Sequence, residues 1–204
     1  LLTEAINVIR EAGGGHVHWW VFEPTEIHAS LAQSVGLHAG RSMLQMRVPL
    51  PLKETSTIAT GPFRSGIDDE QWLAVNNAAF ADHLEQGGWT QETLDSRKQQ
   101  PWFNPHGFLL HHVDSNLAGF CWTKVHLETN PVLGEIYVIA VRPEFGGKGI
   151  GRELTIAGLN YLSRAGISTG MLHVDAENTR AVKMYRDLGF TVHHQQCAFV
   201  GDVN

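Results

Sequence analysis

The sequence predicts an α/β (α+β) fold: a mixed sheet flanked by helices, with one complete domain preceded by the C-terminal half of a second copy. Three observations predict it. Of the 204 residues, 43% are hydrophobic and 18% charged, which suits a packed core and leaves no long charged or low-complexity run. Residues 154–201 read helix, strand, helix, strand. Residues 1–48 read the same way when the chain is shifted by 153 residues.

In the later copy the pieces are "ELTIAGLNYLSRAG", "TGMLHVDAE", "NTRAVKMYRDLGF" and "TVHHQQCAFV". The first carries Leu154, Ala157, Leu159 and Leu162 at helical spacing and ends at Gly166. The second helix opens on Asn178, a good N-cap, and ends at Gly189. In the earlier copy "LLTEAINVIREAG", "GGHVHWWVF", "EPTEIHASLAQSVGL" and "HAGRSMLQMRV" follow the same order. The shift lays Ala12-Gly13 on Ala165-Gly166 and Gly36-Leu37 on Gly189-Phe190. Residues 1–50 are thus expected to be the C-terminal part of a first domain that packs against the second. The chain opens Leu-Leu rather than Met, so an upstream part is expected.

Residues 51–60, within "PLPLKETSTIAT", read as a linker. A complete domain is expected over 61–204. "GPFRSG" reads as a loop. "IDDEQWLAVNNAAF" reads as a helix whose Asp68, Asp69 and Glu70 suit its positive end. "TQETLDSRKQQ" is a second helix, entered through Thr90 and stopped by Pro101. "GFLLHHV" and "NLAGFCWTKVHLE" form a hairpin turned at Asp114-Ser115-Asn116. "GEIYVIAVRP" is an apolar strand between Gly134 and Pro143. The expected order is ααβββαβαβ.

Composition also excludes. A net charge of −6 argues against a nucleic-acid partner, which needs a basic footprint. No stretch is long and apolar enough to span a membrane, and no signal peptide is visible. Cys121 and Cys197 are far apart and form no CxxC, pointing to a reducing, cytoplasmic setting. Twelve histidines invite a metal, but only His16 and His18 would share a strand face. His111–His112 and His193–His194 would point to opposite faces, so no metal is expected.

The chemistry-bearing stretch is "GGKGIGREL", residues 146–154, between a strand and a helix. Neither GxGxxG nor GxxxxGK[ST] fits it. Glycines there let backbone N–H groups approach an anion at a helix N-terminus, and Lys148 and Arg152 add positive potential. A plain glycine-rich turn would show the same residues.

In this context the chain resembles the GCN5-related N-acetyltransferases, whose acetyl-CoA loop reads [Q/R]-x-x-G-x-[G/A] after the fourth strand. Gly146-Gly147-Lys148-Gly149-Ile150-Gly151 matches except at its first position, which is glycine. "VDAENTRAVKMYRDLGF" fits the family's next strand and helix. "HLEQGGW", "FCWTKVH", "GEIYVIAVRP" and "MYRDLGF" are similar, in order, to the mycothiol-forming tandem branch of that family.

The resemblance implies an acetyl-CoA cosubstrate and no metal. It implies acetylation of the cysteinyl amine of cysteinyl-glucosaminyl-inositol, a small-molecule acceptor, by a monomer. It places the cofactor on the backbone of Ile139, Ala140 and Val141, on residues 146–152, and on Asn178 and Arg180. It makes Glu135 the base and Tyr185 the acid for the departing thiolate. It puts substrate contacts at Glu85, Lys124, Glu135 and His173, the last standing where the branch has tyrosine. Taken alone, Glu135 is a carboxylate opening an apolar strand, Tyr185 a helix residue that also suits packing, and Glu85 and Lys124 surface charges. Another amine acceptor, a protein N-terminus or a small molecule, is the alternative within the class. A non-catalytic CoA-binding tandem domain is the alternative outside it.

Overall fold

The computed structural model describes residues 1–81 and 86–204. Its contacts divide the chain into two units, Leu1–Arg47 with His173–Asn204, and Val48–Leu172.

The second unit holds the helices α3 (Asp69–Ala79), α4 (Gln91–Lys98) and α5 (Ile150–Arg164). Its strands are β3 (Gly61–Pro62), β4 (Phe108–Val113), β5 (Asn116–His126), β6 (Leu133–Val141) and the first part of β7 (Thr169–Asp175). β3 to β6 pair antiparallel in chain order. β6 pairs parallel with β7, from Gly134↔Gly170 to Ile136↔Leu172, so the sheet is mixed. The stretch read as a loop at "GPFRSG" contributes β3, because Gly61 and Pro62 lie beside Leu110 and Leu109. Proline is tolerated at such an edge position, where its missing N–H costs no ladder bond.

One face of this sheet buries Phe108, Leu110, Phe120, Trp122 and Val138 against Trp72, Val75 and Leu94 of α3 and α4. The aromatic rings stack or meet edge to face; Phe108 and Trp122 are parallel at 4.3 Å. The other face carries α5, whose Leu154, Ala157, Gly158 and Leu159 are buried. Glycine at 158 has a steric reason: a Cβ there would meet Cys121 Sγ at 2.5 Å and Ile136 Cδ1 at 2.7 Å.

One expectation for this unit is met and another changes. Asp68 is the N-cap of α3, and Asp69 and Glu70 lie in its first turn, at the helix's positive end. Asp68 accepts from Arg64 Nη2 at 2.7 Å, and Asp69 accepts from Lys98 Nζ at 2.6 Å and from the Gly66 N–H at 2.9 Å. The stretch read as a linker is strapped along α5. Glu153 accepts from the Ser56 hydroxyl and from the Thr57 N–H, Asn160 caps the Ser56 N–H, and Arg152 pairs with Glu54. Small polar residues that look unstructured in sequence are here the partners of polar residues on a helix's outer face.

The first unit holds α1 (Leu2–Glu11), β1 (Gly15–Phe22), α2 (Glu26–Ser34), β2 (His38–Pro49), the end of β7, α6 (Thr179–Asp187) and β8 (Thr191–Val203). β8 pairs antiparallel with β1 on one side and β2 on the other. Ile6, Val21, Ala32, Leu37, Cys197, Phe199 and Val203 form its core. Asn178 Oδ1 accepts from the Ala181 N–H at 3.1 Å and so caps α6. Thr25 and His28 close a reciprocal cap on α2.

The element bounds follow the 153-residue shift closely. Glu26–Ser34 falls on Thr179–Asp187, and α1 and α5 end at matching positions. Gly13, Gly36, Gly166 and Gly189, at the corresponding helix ends, all have positive φ. The contact division nevertheless differs from the sequence division at 51–60. The last strand of the later copy lies between both strands of the earlier one, which carries residues 173–204 into the unit of residues 1–47.

Candidate active site

Three of the expected site groups lie in the second unit on β5, β6 and the loop that follows. In the ladder, Lys124 is directly opposite Glu135, because β5 and β6 stay in register next to the turn that joins them. Glu135 is buried, at 7% exposure, not a solvated carboxylate at a strand edge. Its Oε2 is 2.8 Å from His126 Nε2. The other ring nitrogen, Nδ1, is 3.0 Å from Glu128 Oε1. The Glu135 carboxylate holds the His126 imidazole above the ordinary histidine range; burial opposes this and Glu128 reinforces it. Lys124 lays its ammonium over the rings of Trp102 at 4.9 Å and Tyr137 at 5.7 Å.

A bulge shapes the strand beyond Glu135. Ile136 pairs with Thr123 and Val138 with Trp122, so Tyr137 is the extra residue. The bulge breaks the alternation and lets Tyr137 and Val138 both reach the aromatic cluster. Ile139, Ala140 and Val141 pair with Cys121, Phe120 and Gly119 on the β5 side.

The glycine loop follows through a short 3-10 turn at Pro143–Phe145. Helix α5 begins at Ile150, inside the glycine stretch and before the glutamate that opens the run read from sequence. Gly149 is its N-cap at φ 82°, and Gly147 has φ 77°. At both glycines a Cβ would meet nothing within 4 Å, so the space beside the helix start is open. The first-turn N–H groups of a helix have no intrahelical acceptor, which suits such a start to an anion. Lys148 rests its ammonium 5.4 Å from the Phe145 ring. Arg152 is committed to Glu54, with both contacts at 2.8 Å, so part of the loop's expected positive charge is already compensated.

His173, Asn178, Arg180 and Tyr185 lie in the first unit. His173 is exposed on β7, with its Nε2 3.4 Å from Gln45 Nε2. Asn178 caps α6 and Arg180 is exposed in its first turn. Tyr185 is 6% exposed and packs on Phe190 with ring centroids 5.6 Å apart. Glu85 lies outside the described residues. The turn after it is held by Asn76 and Asn77, which bond the backbone of Gln86 and Trp89.

Sequence reasoning missed His126. The signal was present, since His126 ends the "WTKVH" stretch two residues beyond Lys124, on the same side of the strand. Cys121 and Cys197 are free and buried, and burial pushes the Cys121 thiol up, away from the thiolate a nucleophile needs. No group of three or more metal-ligating side chains occurs among the described residues. No helix among them is long and apolar enough to cross a membrane.

Comparison with known proteins gives three findings. The sequence profile of the acetyltransferase (GNAT) family matches residues 72–190. A mycothiol acetyltransferase of Streptomyces griseus subsp. griseus is 46% identical over 188 residues, 89% of this chain and 61% of that protein. One from Acidimicrobium ferrooxidans is 42% identical, over 98% of this chain and 67% of that protein. The chain therefore spans roughly three fifths to two thirds of these relatives. Among solved structures, a GCN5-related N-acetyltransferase from Sphaerobacter thermophilus is similar, with a TM-score of 0.78, 22% identity, and coverage of 94% of this chain and 61% of that one. A tandem GNAT protein from the clavulanic acid biosynthesis pathway covers all of this chain and 69% of its own, with a TM-score of 0.68 and 16% identity. At these identities the two structures speak for the fold.

Proposed function

Because the chain belongs to the acetyltransferase (GNAT) family, whose members use acetyl-CoA, we propose that it transfers acetyl from acetyl-CoA to the cysteinyl amine of cysteinyl-glucosaminyl-inositol. The acceptor is supported by relatives named mycothiol acetyltransferase at 42–46% identity. The observation that carries the chemistry is the buried Glu135 carboxylate, opposite Lys124 and at the closed end of an otherwise apolar strand.

Acetyl transfer needs a neutral amine, a polarised thioester, donors for the oxyanion and a proton for the leaving thiolate. Glu135 takes the amine's proton. Backbone N–H groups over Ile139–Val141 polarise the carbonyl. The loop of residues 146–152 holds the pyrophosphate, and Tyr185 protonates the thiolate of CoA. Four residues of strand, shortened by the bulge, separate Glu135 from Ile139, roughly 10–13 Å. Glu135 therefore works at the amine's side, through water, rather than at the thioester. Asn178 and Arg180 extend the CoA contact. His173, Glu85 and Lys124 contact the acceptor, whose hydroxyls and ring faces suit the aromatic surface of Trp102 and Tyr137.

The earlier copy is a scaffold and not a second centre. The position of Tyr185 falls there on Ala32, which is 1% exposed and has no proton to give. The test is mass spectrometry of cysteinyl-glucosaminyl-inositol incubated with acetyl-CoA and the full-length protein. Glu135→Gln is expected to lower turnover at neutral pH by about 10²-fold or more, with little change in acetyl-CoA affinity. The loss shrinks as pH rises and the amine deprotonates unaided. A pH-independent defect would make Glu135 a substrate-positioning group, and acetylation of a protein N-terminus in place of the cysteinyl sugar would overturn the acceptor.

A further inference from the structure

We propose that His126 is a positioning residue for Glu135: an imidazolium clamped between the Glu135 and Glu128 carboxylates that keeps the Glu135 carboxylate ionised and oriented. The inference rests on reading Glu135 as the base.

Its ground is hydrogen-bond accounting. Nε2 lies 2.8 Å from Glu135 Oε2 and Nδ1 lies 3.0 Å from Glu128 Oε1. An ionised carboxylate only accepts. A neutral imidazole carries one N–H and can satisfy one of these two contacts, leaving a lone pair facing an oxygen. The doubly protonated ring satisfies both. The two acceptors differ in setting. The Glu135 side chain is 10% exposed and that of Glu128 is 71% exposed, so the ring links a buried carboxylate to one at the surface. The ring itself is 16% exposed, which keeps it largely out of solvent and sharpens its charge interactions.

The surroundings agree. Among the described residues, the charged groups facing His126 are Glu135 from β6, Glu128 from the turn after β5, and Lys124 from β5 itself. The two carboxylates raise its affinity for a proton, and Lys124 and burial work against them without winning. Thr129 donates to the His126 carbonyl at 2.9 Å and accepts from the Leu133 N–H, which closes the turn carrying Glu128. The clamp is thus built into a fixed connection between β5 and β6.

Burial disfavours the charged form of a carboxylate and so narrows the acidic range over which it can act as a base. A cation at hydrogen-bond distance reverses that preference. His126 thereby extends the base's working range to lower pH, at the cost of some basicity.

The test is a titration coupled to kinetics on the full chain. In His126→Gln, which keeps a donor and removes the charge, the Glu135 carboxyl midpoint read by carbon NMR is expected to rise. The acidic limb of kcat/KM rises with it, so the rate falls most below the limb and far less at pH 8.5. Acetyl-CoA affinity by calorimetry stays within about twofold. Glu128→Gln, at an exposed position, shifts both in the same direction by less. In the unsubstituted protein the His126 ring titrates above the ordinary histidine range, and in Glu135→Gln it falls. An unchanged Glu135 midpoint in His126→Gln, or a neutral His126 ring at pH 7 in the unsubstituted protein, overturns the clamp. If the midpoints move as stated while Glu135→Gln keeps full turnover, the clamp stands and the reading of Glu135 as base falls.

Discussion

Replacing Gly158 with alanine sets helix propensity against packing, and the structure decides the winner. Gly158 sits in the middle of α5, where glycine is worth about 1 kcal/mol less than alanine. On propensity alone Gly158→Ala would stabilise the protein. The added Cβ would stand 2.5 Å from Cys121 Sγ and 2.7 Å from Ile136 Cδ1, both well inside ordinary contact. The end of Ile136 can turn aside, but Cys121 is 0% exposed and wedged beneath the helix. Overpacking of this kind costs about 1–3 kcal/mol, so the expected net loss is about 1 kcal/mol. For a chain of this size that lowers Tm by about 2–4 °C. The assay is thermal unfolding of the unsubstituted protein, Gly158→Ala, Cys121→Ala and the double variant. If Cys121 is the obstacle, the double variant recovers part of the loss and the cycle shows favourable coupling of about 0.5 kcal/mol or more. A Tm equal to or above that of the unsubstituted protein, or simple additivity of the two changes, would refute the close-packing argument. Because α5 carries the glycine loop at its start, the same variant is also expected to weaken acetyl-CoA binding by a few fold.

Three further outcomes follow from the same geometry. Gly149→Val places a β-branched residue at φ 82°, straining the helix start by about 1–2 kcal/mol and filling the anion's approach; calorimetry is expected to show acetyl-CoA affinity down about tenfold or more, and unchanged affinity would remove the loop from the site. Asp69→Asn breaks the contact with Lys98, whose side chain is 14% exposed against 11% for Asp69, and is expected to cost about 2–4 kcal/mol by urea unfolding. Burial pushes the Asp69 carboxyl up, but Lys98, the Gly66 N–H and Gln91 outweigh it and hold it below its usual value. Its contribution is therefore complete above the unfolded carboxylate range and lost as pH falls through the lower folded value, so the gap to Asp69→Asn should begin to narrow below about pH 4; a gap that stays constant from pH 5 to pH 3 would contradict this. Lys148→Ala is expected to weaken acetyl-CoA binding by no more than about tenfold, since its ammonium already leans on Phe145 and the backbone N–H groups remain; abolished binding would put the lysine, not the helix start, at the centre of the anion site.

Local signals determined much of this protein. The apolar period of α5, the glycines after helices α1, α2, α5 and α6, and the Asn178 cap are short-range physics, and the elements stand where that physics puts them. The repeat was legible for the same reason, since equal elements at equal spacing need no tertiary knowledge. The family was legible because the glycine loop and the "WTKVH" and "GEIYVIAVRP" stretches are contiguous. Long-range pairing was not. Nothing in "TVHHQQCAFV" says that its strand lies between β1 and β2, because every strand edge offers the same N–H and C=O groups and only the folded packing selects among them. Nor does spacing reveal that the 51–60 segment is strapped to Glu153 and Asn160, about a hundred residues away. The bulge at Tyr137 depends on a one-residue mismatch between two strands, which neither strand shows alone. Glu135 could be picked out from sequence as a carboxylate in an apolar run. Its burial, and its partnership with a histidine on the neighbouring strand and through that ring with Glu128, exist only once β5 and β6 are laid side by side, because a side chain's charge state is set by what surrounds it in space and not by what precedes it in the chain.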